Sequence, residues 1–170
     1  MSAPLTAWHK PQSFQPPLAL LLGDQESERA ERFLSMNEQR IFLPARNEAE
    51  ILYRQYLVSV DPIAHILHKP SFERLFKNFW DNIEAGIVPS NPTTALMFSV
   101  CMASAMSLSS LQTQALLRTS RQRLVQKLKT GTKRALARAH CMMTSNIRTL
   151  QAFTLYLVVS PRHPSSISCN

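Results

Sequence analysis

The sequence predicts an all-α fold, an irregular multi-helix domain of about five helices with flexible N- and C-terminal arms. Of its 170 residues, 45% are hydrophobic and 18% are charged, which supplies enough apolar material for one buried core. Only 3 glycines are present, too few for glycine-loop nucleotide folds or turn-rich β-sandwiches. Apolar residues recur at helical spacing, and no alternation is long enough to predict a strand.

The chain is predicted to divide into an arm, a domain and a tail. Residues 1–40 begin with four prolines and continue into a charged stretch with few apolar side chains, so we expect a flexible arm and linker. Residues 41–159 form the predicted helical domain. Residues 160–170 contain two prolines and four serines and are predicted to be a disordered tail.

The first helix is predicted to start after Pro44 and to end at Asp61-Pro62, because the residue before a proline is pushed away from the α region. Asn47 is expected to cap this helix, with Glu50 three residues later completing a capping box. Helical spacing then predicts one buried face, made of Ala49, Leu52, Tyr53, Tyr56, Leu57 and Val60.

The next two helices follow from an aromatic stripe and an apolar run. The second is predicted from about Ser71 to Ala85, with Gly86 just past its end in the left-handed cap position. Its amphipathic stripe consists of Phe72, Leu75, Phe76, Phe79, Trp80 and Ile83. The third is predicted to start near Pro92 with Asn91 as its cap, and to be buried on every side over residues 95–108.

The fourth predicted helix spans roughly residues 111–143, with Gly131 as the point where it could break. A fifth helix, capped by Thr144 or Ser145, carries apolar residues around most of its circumference up to Val159. Because only a Ser/Pro tail follows, we expect part of that apolar surface to be exposed, as in a shortened product or a fragment that needs a partner.

The charge of the chain is unevenly distributed. All eleven acidic residues lie between Asp24 and Glu84, whereas residues 85–170 carry ten Lys and Arg and no acid. Five cations share one side of the predicted fourth helix and are candidates for phosphate or acidic-partner contact: Arg123, Lys127, Lys133, Arg134 and Arg138. No aromatic residue is interleaved among them to stack on bases, so a solvated or partner-docking face is favoured over direct DNA readout.

No constellation in the sequence indicates catalysis or metal binding. Cys101, Cys141 and Cys169 are odd in number and widely spaced, which argues against a disulfide framework or a zinc site. His65 and His68 are three residues apart, but without a third ligand nearby, packing or capping is the favoured role. Neither a nucleophile elbow nor a phosphate loop occurs, so we predict no enzyme and no cofactor.

No membrane span or secretory signal is predicted. The longest apolar stretch, residues 95–108, falls short of the roughly 20 residues that a spanning helix needs. The Leu18–Leu22 run is too short for a secretory core and follows two prolines. Together with the cysteine usage, this predicts a soluble chain in a reducing compartment that makes no membrane contact.

Three segments resemble the fungal-specific transcription factor domain, the regulatory middle homology region of fungal zinc-cluster regulators. Residues 41–56 (IFLPARNEAEILYRQY) are similar to its start, and residues 66–72 (ILHKPSF) to its most recognisable string. Residues 150–152 (LQA) are similar to its leucine-glutamine-alanine segment, so the resemblance covers roughly residues 41–159. The motif residues expected to be structural are His68, Pro70, Ser71, Phe72, Phe79, Trp80, Leu150 and Gln151.

The resemblance implies a helical regulatory domain of a nuclear transcription factor that governs metabolic or secondary-metabolite genes. Family members usually carry a six-cysteine zinc cluster that binds DNA, and three cysteines cannot form one. The chain is therefore expected to act through a protein partner, either a full-length transcription factor or a second copy of itself, and to contact DNA only indirectly or weakly.

Two other functions stay open. One is direct non-specific nucleic-acid binding by the basic face of residues 111–143, and the other is a small-molecule effector pocket among the aromatic residues. Packing of the domain is expected to rest on Leu52, Tyr56, Phe72, Phe76, Phe79, Trp80 and Leu150.

Overall fold

The computed structural model describes residues 40–160, and the predicted arm before residue 40 and most of the predicted tail lie outside them. Within this part of the chain the fold is all-helical, as predicted, and no strand occurs. Seven helices lie wholly inside it: α1 (Arg46–Ser59), α2 (Asp61–Ala64), α3 (Lys69–Glu84), α4 (Asn91–Ser107), α5 (Ser110–Leu117), α6 (Arg121–Arg138) and α7 (Ile147–Val159).

Helix α4 is the centre of the fold. Every residue from Thr93 to Ala105 is buried, which confirms most of the run predicted to be buried over residues 95–108; at its end Met106 is half-buried and Ser107 is exposed. The helix packs most extensively against α7 and α6, then against α1, and only lightly against α3. Helices α1, α3, α6 and α7 therefore surround α4 and bury it.

The predicted fourth helix is two helices, and the break predicted at Gly131 is wrong. Helix α5 ends at Leu117, because Arg118 adopts a left-handed conformation with φ of 51°. Helix α6 then starts with the Ser120 hydroxyl accepting the N–H of Arg123 at 3.4 Å. The left-handed Arg118 and the capping Ser120 together divide the segment into two helices.

Gly131 lies inside α6 for a packing reason. A Cβ at this position would meet the buried ring of Phe98 and would lie 2.9 Å from the Cβ of Phe42. Such a contact is closer than real Cβ atoms tolerate, so the absent side chain lets two aromatic residues approach the helix. The glycine marks a close approach of neighbours and leaves the helix continuous.

The other additional helix is α2, which begins where the first helix was expected to stop. Pro62 occupies its first turn, where a missing N–H costs nothing, so the chain turns helical again after Val60. It ends at His65, which has φ of 45° and donates its N–H to the carbonyl of Asp61 at 3.0 Å. This short helix and the division of the fourth explain why five predicted helices are an undercount.

Several predicted caps are wrong by one or more residues. At α1 the Ala45 N–H donates to Glu48 Oε2 at 3.0 Å, so the expected capping box of Asn47 with Glu50 does not form. Helix α3 begins at Lys69, two residues before the expected Ser71. Helix ends depend on local hydrogen bonds that several polar neighbours can supply, so the spacing of apolar residues does not single one out.

The last predicted caps shift in the same way. Ser90 precedes α4, where Asn91 was expected, and its hydroxyl lies 2.9 Å from the hydroxyl of Thr93. Asn146 caps α7 by accepting the Arg148 N–H at 3.0 Å, whereas Thr144 or Ser145 was expected. After α3, in contrast, Gly86 has the expected positive φ of 73°.

The aromatic stripe of α3 packs onto α1. Phe72, Phe79 and Trp80 are buried, and the Phe76 ring stacks on Tyr53 at a centroid distance of 5.4 Å. The predicted core position of Leu150 is wrong, since that side chain is 41% exposed. It stands on the outer side of α7, because Thr149, Ala152 and Leu155 supply the buried side.

Ion pairs hold both ends of α3 to neighbouring helices. Arg46 contacts Glu84 at 2.9 Å and Asp81 at 3.1 Å, which fastens the start of α1 to the end of α3. At the other end of α3, Lys69 Nζ lies 2.9 Å from the buried carboxylate of Asp61. These contacts fix the direction of α3 across the bundle.

Among residues 40–160, no helix is both long enough and apolar enough to cross a membrane.

Candidate functional site

The two most recognisable motifs of the sequence meet in the fold. Gln151 Nε2 donates a 2.8 Å hydrogen bond to the carbonyl oxygen of Ile66, although 85 positions separate them. In the same turn His68 Nδ1 lies 2.8 Å from the Ser71 hydroxyl, where α3 begins. The 66–72 string and the 150–152 segment therefore form one structural unit between α3 and α7.

The motif residues have different positions within this unit. Phe72, Phe79 and Trp80 are buried, and the last two rings make an edge-to-face contact at 5.4 Å. Pro70 lies in the exposed first turn of α3. Leu150 is exposed beside Gln151, whose amide alone reaches the 66–72 string.

A cavity of about 480 Å³ opens where these motifs meet. Its volume is within the range of small-molecule sites. Phe72 is the one Phe, Tyr or Trp among the described residues that line it. The effector pocket among aromatic residues that the sequence left open is therefore not formed at this cavity. The lining comprises Leu67, His68, Ser71, Phe72, Arg74, Leu75, Asn78, Leu96, Ile147, Arg148 and Gln151.

The cavity carries positive charge. Arg74 and Arg148 are among the residues that line it, and no Asp or Glu occurs among the described lining residues. Arg148 is held in place because its Nη1 donates to the Thr93 hydroxyl at 3.2 Å. Arg74 stands on the exposed side of α3.

Sequence reasoning missed the wall residues Arg74 and Asn78, although a signal for them exists. Ser71, Arg74, Leu75 and Asn78 fall at i, i+3, i+4 and i+7, which places them on one face of a helix. Ser71 was predicted as a motif residue and Leu75 as part of the amphipathic stripe, whereas Arg74 and Asn78 were not predicted, because apolar periodicity identifies the core and polar periodicity does not identify a site.

The basic face of α6 is partly engaged within the chain. Lys127 Nζ donates to the Leu43 carbonyl at 3.2 Å, and the Arg134 guanidinium lies 4.9 Å from the centroid of the Phe42 ring. These two cations therefore hold the segment before α1 against α6. Arg123 and Lys133 are exposed to solvent.

Arg138, the fifth predicted cation, lies at the end of α6. It is half-buried, and its carbonyl accepts a 3.3 Å hydrogen bond from Asn91 Nδ2 at the start of α4. The fold thus divides the predicted phosphate-contact residues between internal anchoring and solvent exposure.

The outer side of α7 presents an apolar strip. Ile147, Leu150, Leu157 and Val158 are 66%, 41%, 47% and 60% exposed. Their spacing places them within about 100° of one another on the helix, and we call this set the α7 strip. Exposed apolar surface on the last predicted helix agrees with the expectation from the sequence.

Burial disfavours the ionised forms of one cysteine and two tyrosines in and beside the core. Burial raises the pKa of the Cys101 thiol to about 12 and that of Tyr53 to about 12, and it also raises the pKa of Tyr56. Within residues 40–160, no group of three or more His, Cys, Asp or Glu side chains could hold a metal ion. His65 and His68 instead stand at helix ends, His65 after α2 and His68 before α3.

Comparison with known proteins places these features in a family context. The C6 finger domain transcription factor nscR of Arthroderma gypseum is 32% identical to the chain over 113 residues, which are 63% of this chain and 15% of that protein. Homologues of this chain are fungal transcription factors, several of them named as C6 finger domain factors. The resemblance seen in the motifs is thereby confirmed.

Two further relatives are also named as transcription factors. Transcription factor vrtR2 of Penicillium aethiopicum is 31% identical over 125 residues, 73% of this chain and 15% of that protein. The aurofusarin cluster transcription factor aurR2 of Gibberella zeae is 29% identical over 112 residues, 66% of this chain and 16% of that protein. The chain thus spans about 15% of the length of the curated relatives it matches.

No family model matches the chain, and no solved structure matches it.

Proposed function

We propose that this chain is a helical regulatory module of a transcription regulator, which acts in the nucleus through protein contacts and without a zinc cluster of its own. The α7 strip is the observation that carries the proposal, because exposed apolar side chains gathered on one side of a helix mark interaction sites. The names of the relatives support the transcriptional setting. One relative is named for the aurofusarin cluster, which supports a role at metabolic or secondary-metabolite genes.

The proposed partner is a full-length C6 transcription factor that offers an apolar surface with an acidic rim. Residues 85–170 contain no acid, so the surroundings of the α7 strip favour a negatively charged rim on the partner. The matched region is about 15% of each relative, and in those proteins it adjoins much further polypeptide. The additional polypeptide of such a full-length factor would therefore supply the surface that covers the α7 strip.

Binding between purified proteins tests this proposal. The full chain is titrated into a labelled full-length relative such as the Arthroderma gypseum factor, and fluorescence anisotropy follows complex formation. We expect saturable binding that Leu157→Glu weakens about tenfold or more, because a charge replaces an apolar contact. The matched control is Leu111→Glu on α5, where the side chain is 83% exposed outside the strip.

The results separate the possible occupants. Equal effects of Leu157→Glu and Leu111→Glu, or no binding at all, would contradict the proposal. Concentration-dependent mass in light scattering, abolished by Leu157→Glu, would instead assign the strip to a second copy of the chain. The helical content of each variant is checked by circular dichroism, so that loss of binding is not confused with unfolding.

Direct nucleic-acid binding is the alternative function, supported by the exposure of Arg123 and Lys133 on α6. Each phosphate contact would add to the salt dependence of binding. A random duplex titrated at near-physiological salt tests it. Affinity that falls steeply with salt and is lost in the Arg123→Gln, Lys133→Gln double variant would favour this alternative over protein contact.

A further inference from the structure

We propose that the cavity between α3 and α7 binds a small amphipathic monoanion, an apolar body that carries one carboxylate. This ligand site goes beyond the proposed protein contact, because it depends on the interior of the cavity and leaves most of the α7 strip uncovered. The cavity volume of about 480 Å³ accommodates a small organic molecule and exceeds what a simple ion needs.

The lining divides into two chemistries that suit such a ligand. The apolar wall consists of Leu67, Phe72, Leu75, Leu96 and Ile147. Of these, Leu67, Phe72 and Leu96 belong to the buried core. An apolar ligand body that packs against these side chains would be removed from water, and this favours binding in proportion to the apolar area that is buried. The apolar wall thus selects a ligand with a hydrocarbon or aryl part.

The polar wall selects the charge. Arg74 and Arg148 are the Lys or Arg residues of the lining, and the described lining residues include no carboxylate to neutralise them. A guanidinium binds a carboxylate through two parallel hydrogen bonds, and its charge does not depend on pH in the physiological range. Positive charge without an internal counterion therefore favours an anionic ligand over a neutral one.

The groups are also positioned before any ligand arrives. Arg148 is anchored by Thr93, and the Gln151 amide is fixed by its bond to the Ile66 carbonyl. His68 is joined to Ser71 at the rim. Because Arg148 and Gln151 already have defined orientations, binding immobilises few rotamers on the α7 side of the cavity, which lowers its entropic cost.

Ligand-dependent melting of the full chain provides the test, with 1-naphthoate as the probe. Its neutral isostere 1-naphthamide controls for the apolar body, and inorganic phosphate controls for bare charge. We expect naphthoate to raise the melting temperature saturably, and naphthamide and phosphate to leave it unchanged. Decanoate carries the same carboxylate on an aliphatic chain. Binding of either acid supports the site, and the comparison of their affinities shows whether the apolar wall prefers an aryl or an alkyl group.

Substitution of Arg74 connects the binding to this cavity. Arg74 is exposed, so Arg74→Gln is expected to fold normally and to weaken naphthoate binding about tenfold, the size of one lost charged hydrogen bond. Arg54→Gln removes the same charge from the exposed side of α1 and should leave the affinity unchanged. Equal affinity for naphthoate and naphthamide, equal effects of the two variants, competition by phosphate, or binding of neither acid would overturn the proposal.

Discussion

Gln151 and Ile66 are joined by a 2.8 Å hydrogen bond from the side-chain amide to the backbone carbonyl, which ties α7 to the turn between α2 and α3. Helix α3 packs only lightly on the central helix α4, so it depends on contacts at its ends and on α1. Arg46 supplies ion pairs at the far end, and Gln151 fixes the near end. The bond therefore organises the cavity as well as the turn.

Replacing Gln151 with Met tests this role. The half-buried Ile66 carbonyl would lose its side-chain donor, and we expect the free energy of unfolding to fall by about 1 kcal/mol. Urea unfolding measures the change. Gln126→Met is the control, because Gln126 is exposed on α6, and an equal loss in both variants would contradict the assigned role.

Gly131→Ala tests the close approach at α6. Helix propensity alone predicts stabilisation by about 1 kcal/mol, because alanine is the better helix former. The Phe98 ring and the Phe42 Cβ occupy the space of the new methyl group, so we expect a loss of about 1–3 kcal/mol instead. The sign of the change in thermal or urea unfolding decides between the two, and a stabilised variant would show that the aromatic residues move aside easily.

The fold was predictable wherever apolar periodicity determines burial. Residues 95–108 were predicted to be buried on every side, and the structure buries all of them except half-buried Met106 and exposed Ser107. The aromatic stripe of α3 was visible for the same reason. Periodicity cannot show where a chain changes direction within a polar stretch, and so the left-handed Arg118 and the capping Ser120 were missed.

The candidate site was harder to predict, because it is formed by residues far apart in sequence. Gln151 was singled out by resemblance, but its partner Ile66 uses a backbone carbonyl, which no residue type reveals. Arg74 and Arg148 each look like ordinary solvated cations until α3 and α7 come together. Tertiary contact, which one sequence does not contain, creates the cavity.

Alkaline pH is expected to destabilise the chain through Cys101. Burial raises the pKa of this thiol from 9.0 to about 12. Above the unfolded value the unfolded chain releases the proton while the folded chain retains it, so stability falls as pH rises through this window. Between about pH 9 and 10, the slope should be steeper in the parent chain than in Cys101→Ala by up to about 1.4 kcal/mol per pH unit.

Urea unfolding across that interval measures the slope. The interval lies below the ordinary pKa of 10.0 for tyrosine, which limits the contribution of Tyr53 and Tyr56. Ser99→Ala changes another buried residue of α4 that does not titrate, and it should shift stability without changing the slope. Parallel pH profiles for the parent and Cys101→Ala would show that the thiol proton is not retained by the fold.

The Lys127 anchor predicts a local effect on the segment before α1. In Lys127→Met the Leu43 carbonyl loses its charged donor, and we expect stability to fall by about 1 kcal/mol. The Leu43 N–H, which donates to the Arg40 carbonyl at 3.3 Å, should exchange with solvent about tenfold faster, because the segment opens more often. Lys129→Met on the same helix is the matched control, and if both variants speed exchange at Leu43 equally, then general charge loss and not the anchor governs this segment.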